Sequence, residues 1–166
     1  SLQMVQHGFQ KVFGTDTNPN AIVGLAESMG TTKLSRKIEL DHGNLFGKWE
    51  KQTELIVFNP PWLPASQEQD KMDPSMYYNP TLFPDFFAGA KQRLLPDGKL
   101  VLIFSNLAQI TNTTKTHPIE EELDAGGRFQ LEKYLKKSVK PASENTKRDQ
   151  HWRKEEVVEL WVLAHK

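Results

Sequence analysis

The sequence predicts an α/β fold, in which a mostly parallel sheet is covered by helices and ends in an antiparallel strand pair. Two continuous apolar runs, ELIVF at 54–58 and KLVLIFS at 99–105, are typical of strands buried on both faces. Apolar side chains recur at helical spacing within 19–29 and 83–94. The resulting order is strand, helix, strand, strand, helix, strand and a terminal pair, which is typical of an open α/β sheet.

The element boundaries follow from residues that begin helices or end strands. Asn18-Pro19 predicts a capped helix start, and Gly30 ends that helix. Asn59-Pro60 ends the strand at 54–58, because proline cannot extend a central strand. The other predicted elements are the end of a helix at 1–10, strands at 11–16 and 37–41, a loop at 65–80, a turn at 96–98, a short helix at 118–123 and strands near 129–138 and 156–164.

Composition and charge limit the classes of protein to which this chain can belong. The 166 residues suit a single catalytic domain, 1–166, and no apolar run approaches the ~20 residues that cross a bilayer. The chain has no cysteine, and its histidines lack metal-ligand spacing, so we expect a cytoplasmic protein without a metal or membrane partner. Lys+Arg and Asp+Glu balance at 21 each, which argues against a strongly electrostatic nucleic-acid binder. The basic stretch 133–154 is either a solvated loop or a patch that faces the substrate.

Two polar positions follow strands at the edge where open α/β sheets bind ligands. Asp16 closes the strand KVFGTD, and its carboxylate can accept both ribose hydroxyls of an adenosine. Asn44, in Gly-Asn-Leu-Phe after the next strand, can reach an adenine amino group while its apolar neighbours cover the ring. Both sites also fit ordinary turn chemistry. The predicted nucleoside-binding residues are Asp16, Thr17, Asn44 and Leu45, together with Asn59 after the strand at 54–58.

The sequence Asn59-Pro60-Pro61-Trp62 is more specific. An amide or exocyclic amine nitrogen is a poor nucleophile because its lone pair is delocalised. An enzyme that methylates it must hold the nitrogen and accept its hydrogens, so that the lone pair lies along the line of attack. The Asn59 side-chain oxygen and the Pro60 carbonyl can form such a pair of acceptors, and Trp62 offers a flat surface for a planar group. The alternative is a turn that ends a strand before a buried tryptophan.

Together these stretches resemble the class I S-adenosylmethionine (SAM)-dependent methyltransferases of the Asn-Pro-Pro-aromatic branch, which have a Rossmann-like sheet. ELIVFNPPWLP is most similar to the release-factor glutamine methyltransferases, and the resemblance spans 11–105. It implies that Asp16 binds ribose, that Asn44 lies at the adenine-contacting position and that Asn59 to Trp62 bind the methyl acceptor. Asn44 replaces the family's usual acid, and Trp62 replaces the common Tyr or Phe.

The family's first strand and glycine-rich loop should precede Asp16 by roughly fifteen to twenty residues. Residues 1–10 hold only Gly8, so we expect a chain that is truncated at its N-terminus. The absent strand would leave a gap between the strands that end at Asp16 and Asn59. We expect these two strands to close on each other, or a strand-exchanged homodimer to fill the gap. We also expect little SAM binding by these 166 residues alone.

Three functions remain open from the sequence. The first is methylation of a protein glutamine amide, favoured by the Leu63-Pro64 tail and the neutral charge. The second is methylation of an exocyclic base amine in RNA or DNA, favoured by the basic stretch 133–154 and by Trp62 as a stacking surface for a flipped base. The third is a non-catalytic binding remnant of the fold.

Overall fold

A computed structural model describes residues 1–30, 35–65, 75–125, 127–140 and 151–166, with the side chain of His151 excepted. The chain forms two compact units, Ser1–Lys51 and Gln52–Lys166. The expectation of one catalytic domain over 1–166 remains a prediction. Among the described residues no helix is long and apolar enough to cross a membrane.

The first unit is a two-stranded parallel sheet with two helices. Its elements are α1 (Leu2–Gln6), β1 (Val12–Asp16), α2 (Pro19–Met29) and β2 (Ile38–His42), and β1 pairs with β2 in parallel. The predicted cap of α2 is confirmed, because the Asn18 side chain accepts the Asn20 amide at 3.0 Å. Val5, Val12, Met29 and Ile38 form a core of this unit's own.

The second unit is built on a four-stranded sheet of order β3-β6-β8-β7. β3 and β6 are parallel, whereas β8 pairs antiparallel with both β6 and β7, which confirms the predicted terminal pair. Its strands are β3 (Thr53–Phe58), β4 (Leu63–Pro64), β5 (Tyr77–Tyr78), β6 (Leu94–Ser105), β7 (Phe129–Ser138) and β8 (Val157–His165). Its helices are α3 (Leu82–Arg93), α4 (Leu107–Ile110) and α5 (Pro118–Ala125), with a 3-10 turn at His151–Lys154.

The core of the second unit is rich in aromatic side chains. Phe86, Phe87 and Ala90 of α3 are buried, as are Leu102 and Phe104 of β6. The stacking of Phe58 on Phe86, with ring centroids 4.0 Å apart, connects the end of β3 to this helix. This packing holds the last residue of β3 against α3, and it therefore also restrains the segment that follows the strand.

The predicted turn at 96–98 is wrong, because β6 runs through it. The pairing jumps from Thr53–Leu94 to Leu55–Lys99, so residues 95–98 form an irregularity in the strand. A Cβ on Gly98 would lie 2.8 Å from Leu94 Cδ1 and 3.0 Å from the Glu54 carbonyl oxygen. The glycine is therefore explained by close packing within the sheet rather than by a turn.

Two other expectations need correction. β1 and β3 lie in separate sheets of the described chain, so their direct pairing is wrong. The physical reason is that β1, β2 and α2 close a core of their own, while β3 pairs with the apolar strand β6. The basic stretch is not simply a loop, since residues 133–138 belong to the exposed edge strand β7, whereas 141–150 lie outside the described residues.

Candidate functional site

The segment Asn59–Trp62 lies at the carboxyl end of the parallel pair β3 and β6, as predicted. It lines a pocket of about 140 Å³. Asn59 is exposed at the end of the strand. Pro60 is buried, and Pro61 and Trp62 are half-buried. The other lining residues are Leu63, Ser75, Met76 and Leu107. The pocket is therefore bounded by rigid proline backbone and an indole.

The pocket contains two hydrogen-bond acceptors that have no partner in the described chain. Within the described part of the chain, neither the Asn59 side-chain oxygen nor the Pro60 carbonyl accepts a hydrogen bond. The contrast is Asn106, which follows the neighbouring strand β6. Its amide donates to the Glu155 carbonyl at 3.0 Å and accepts from the Val157 amide at 2.9 Å. Asn106 is thus committed to holding the fold, while Asn59 is available to a ligand.

Three lining residues were missed by sequence reasoning. Ser75 and Met76 reach the pocket because β5 returns beside β4, with the Leu63 amide donating to the Met76 carbonyl at 3.1 Å. Residues 65–80 were predicted as loop, and a two-residue strand is too short to show a periodic pattern. Leu107 directly follows β6, so the rule that singled out Asn59, namely that ligands bind beyond strand ends, could have found it.

In the first unit, Asp16 and Asn44 both follow the carboxyl ends of β1 and β2. The Gly43 amide donates to the Asp16 carbonyl at 3.1 Å, which holds the two strand ends together. One carboxylate oxygen of Asp16 accepts the Asn18 amide at 2.8 Å, so the residue does take part in turn chemistry. Asp16, Thr17 and Asn44 are exposed, and Leu45 is half-buried with φ of 50°.

The carboxylate of Asp41 shapes the same loop and was not predicted to do so. It accepts the Lys48 amide at 2.9 Å, and a Cβ on Gly47 would overlap one of its oxygens. Gly47 itself has φ of 50°, which favours glycine. Because β2 extends to His42, one residue beyond its predicted end, Asp41 lies within the strand and fixes the turn that carries Asn44.

A polar network, buried apart from Tyr134, joins His117 at the start of α5 to the strands β7 and β8. Glu159 accepts hydrogen bonds from Tyr134 and Trp161 at 2.9 and 3.1 Å, and its other partner is His117 Nε2 at 2.9 Å. Burial by itself raises the pKa of Glu159, but the bonds from His117, Tyr134 and Trp161 outweigh it, and the pKa is lowered. Burial, followed by the bond to Glu159 and its charge, raises the pKa of Tyr134 to about 12.

This network is structural in character. None of its residues lines the Asn59 pocket. The described residues also contain no group of three side chains that could hold a metal ion. Its one unsatisfied atom is His117 Nδ1, which is buried without a hydrogen-bond partner in the described chain. Such a network, joining residues 42 positions apart, fixes the placement of α5 on the sheet.

Comparison with known proteins gives structural likeness without sequence matches. No protein-family model and no curated protein matches the sequence. A ribosomal protein L11 methylase from Lactobacillus delbrueckii subsp. bulgaricus superposes with TM-score 0.56 at 17% identity, over 99% of this chain and 64% of that one. An rRNA methylase from Streptococcus thermophilus gives 0.51 at 14%, over 93% and 73%. The Streptococcus mutans protein SMU.1697c, solved in complex with SAH, gives 0.55 at 10%, over 98% and 81%.

These identities establish a fold rather than an activity. The chain spans 64% of the L11 methylase, which is less than two thirds of that protein's length. The matched region includes both the parallel pairs and the antiparallel end of the sheet, since nearly the whole chain is covered. The protein therefore has the α/β fold of the Rossmann-like methyltransferases.

Proposed function

We propose that this protein transfers the methyl group of SAM to a planar nitrogen, and that the acceptor is a protein glutamine amide. The observation that carries the proposal is the pair of unoccupied acceptors on Asn59 and Pro60, set in a pocket at the carboxyl end of β3. Two acceptors fit the two hydrogens of a primary amide. Holding both would direct the nitrogen lone pair towards an incoming methyl group.

The walls of the pocket suit a side chain that has an apolar stem and a polar end. Trp62 and Leu63 supply apolar walls against which the side-chain methylenes can pack.

The test is methyl transfer from isotopically labelled SAM to peptides that contain one glutamine, with fragmentation mass spectrometry to locate the methyl group. We expect the label on the glutamine side chain, and none on matched peptides in which glutamine is replaced by glutamate. The proposal is wrong if an enzyme that is active on other acceptors leaves every glutamine peptide unlabelled.

Methylation of an exocyclic amine in RNA or DNA is the second candidate, and a specific observation favours it. Lys133, Lys136 and Lys137 are all exposed on the edge strand β7. If these lysines contact phosphates, the logarithm of the RNA association constant falls steeply with the logarithm of salt concentration, by about one unit of slope for each phosphate contact. A flat salt dependence would instead agree with a protein acceptor.

The nucleoside position yields a separate prediction. Asp16→Ala is expected to weaken SAM binding by on the order of tenfold or more, since a carboxylate that accepts ribose hydroxyls makes strong charge-assisted bonds. Calorimetric titration with SAM measures the change, and Asp97→Ala, which alters an aspartate in the second unit, is the control. An unchanged SAM affinity would show that Asp16 serves the turn before α2 alone.

A further inference from the structure

A second and larger cavity lies in the same unit as the Asn59 pocket. Its volume is about 440 Å³, within the range of sites that bind small molecules or side chains. The two cavities lie along the β4–β5 pair, because Leu63 and Met76 line the first, and Pro64 and Tyr78 line the second. Consecutive residues of β4, Leu63 and Pro64, thus line the first and the second cavity.

Three aromatic residues line the second cavity. Two of them, Phe83 and Phe87 of α3, have 3% and 1% of their surface exposed. Tyr78 is half-buried beside them, its ring packed edge-on against Phe83 with centroids 5.0 Å apart. The negative face of an aromatic ring attracts a cation, and planar guanidinium groups also stack on such rings.

Charged side chains also line the cavity, and acidic ones outnumber basic ones. Glu122 and Arg128 neutralise each other through two hydrogen bonds of 2.8 and 2.5 Å. Glu121 also lines the cavity; it is exposed, and its carboxylate has neither a hydrogen bond nor an ion pair within the described residues. The net charge of these three side chains is therefore −1, which favours a cationic ligand.

Glu121 and Tyr78 line the same cavity. Burial, followed by the charge of Glu121, raises the pKa of Tyr78 to about 12. The hydroxyl makes no hydrogen bond within the described chain, so its oxygen is available to a donor. A hydroxyl oxygen and a carboxylate offer acceptors to a group with several N–H donors in one plane.

We infer that this cavity binds the guanidinium group of an arginine side chain belonging to the protein that carries the methylated glutamine. The inference rests on the proposed function, because it takes the glutamine to occupy the Asn59 pocket. Guanidinium suits the cavity better than ammonium does, since it is planar, stacks on Tyr78 and can donate to Glu121 and Tyr78 together. The cavity would then select acceptor proteins by an arginine close to the modified glutamine.

The test compares fluorescent dodecapeptides that contain one glutamine and one arginine, separated by one to six residues, with the same peptides carrying citrulline. Citrulline has the shape of arginine and no charge. For at least one spacing we expect the arginine peptide to bind about tenfold more tightly by fluorescence anisotropy. Glu121→Gln should abolish this preference. Glu120→Gln is the matched control, since Glu120 is the preceding residue of α5, is exposed and does not line the cavity.

The inference is overturned if arginine and citrulline peptides bind equally at every spacing, or if Glu121→Gln keeps the full preference. A third peptide series, with leucine in place of glutamine, separates this result from the proposed function. If the arginine preference persists in the leucine series and is lost in Glu121→Gln, the result supports arginine binding by the cavity even if no glutamine is ever methylated. Glutamine methylation with no arginine preference supports the proposed function and contradicts the inference.

Discussion

Replacing Asn59 with alanine is expected to lower methyl transfer by on the order of 100-fold or more, with a far smaller change in SAM affinity. The side-chain oxygen of Asn59 has no structural partner in the described chain, so its loss removes an acceptor for the substrate nitrogen and little else. The effect should therefore fall on turnover. Single-turnover methyl transfer and calorimetric SAM binding, measured on the same preparation, report the two quantities separately.

Asn106→Ala supplies the matched comparison for this variant. Both asparagines follow parallel strands of one sheet, but Asn106 makes two hydrogen bonds that tie β6 to the segment before β8. We expect Asn106→Ala to destabilise the fold by about 1 kcal/mol, because one exposed and one part-buried backbone group lose their partner, and Asn59→Ala to leave the unfolding midpoint unchanged. Near-normal turnover by a folded Asn59→Ala protein would contradict the assignment of Asn59 as a catalytic residue.

Replacing Glu159 with leucine is expected to destabilise the protein by on the order of 3 kcal/mol, because buried donors on His117 and Trp161 lose their acceptor. Urea unfolding followed by tryptophan fluorescence or circular dichroism measures this change. The control is Glu132→Leu on the neighbouring strand β7. Glu132 pairs with Lys99 at the surface, and such pairs contribute within about 1 kcal/mol. Similar losses in both variants would mean that the Glu159 network adds no more than an exposed ion pair.

The same network predicts an acid-sensitive stability. Because the folded protein lowers the pKa of Glu159, its contribution is present above the ordinary value of 4.5 and is lost as pH falls through the lowered pKa. The difference in unfolding free energy between the wild type and Glu159→Gln should therefore shrink below about pH 4.5. A difference that stays constant from pH 7 to pH 3 would contradict the role of the ionised carboxylate.

The tyrosine in the network acts at the other end of the pH scale. The pKa of Tyr134 is raised from 10.0 to about 12, so its contribution is present below pH 10 and is lost as pH rises towards 12. Both titrations depend on one carboxylate, although the residues concerned lie on different strands.

Local chemistry in the sequence was sufficient to predict where most elements begin and end. Asn18-Pro19 starts α2 and Asn59-Pro60 ends β3, because a cap and a proline act on their own backbone whatever surrounds them. The apolar runs at 54–58 and 99–105 likewise predicted neighbouring strands. The expectation that both faces of the first run are buried is wrong, because only Ile56 of β3 is buried and Val57 is 47% exposed. These local features are sufficient to predict that the Asn-Pro-Pro-Trp segment lies at a strand end.

Tertiary structure decided which polar groups are free and which are occupied. Asn59 and Asn106 occupy similar positions in the sequence, after apolar strands, yet only contacts with residues about fifty positions away, at Glu155 and Val157, commit Asn106 to the fold. The pairing of β4 with β5, which brings Met76 to the pocket, also depends on segments that meet in space. Periodicity describes the surroundings of a residue along its own element. Hydrogen-bond partners on other elements depend on packing instead. The free acceptor on Asn59 could therefore be identified only in the folded chain.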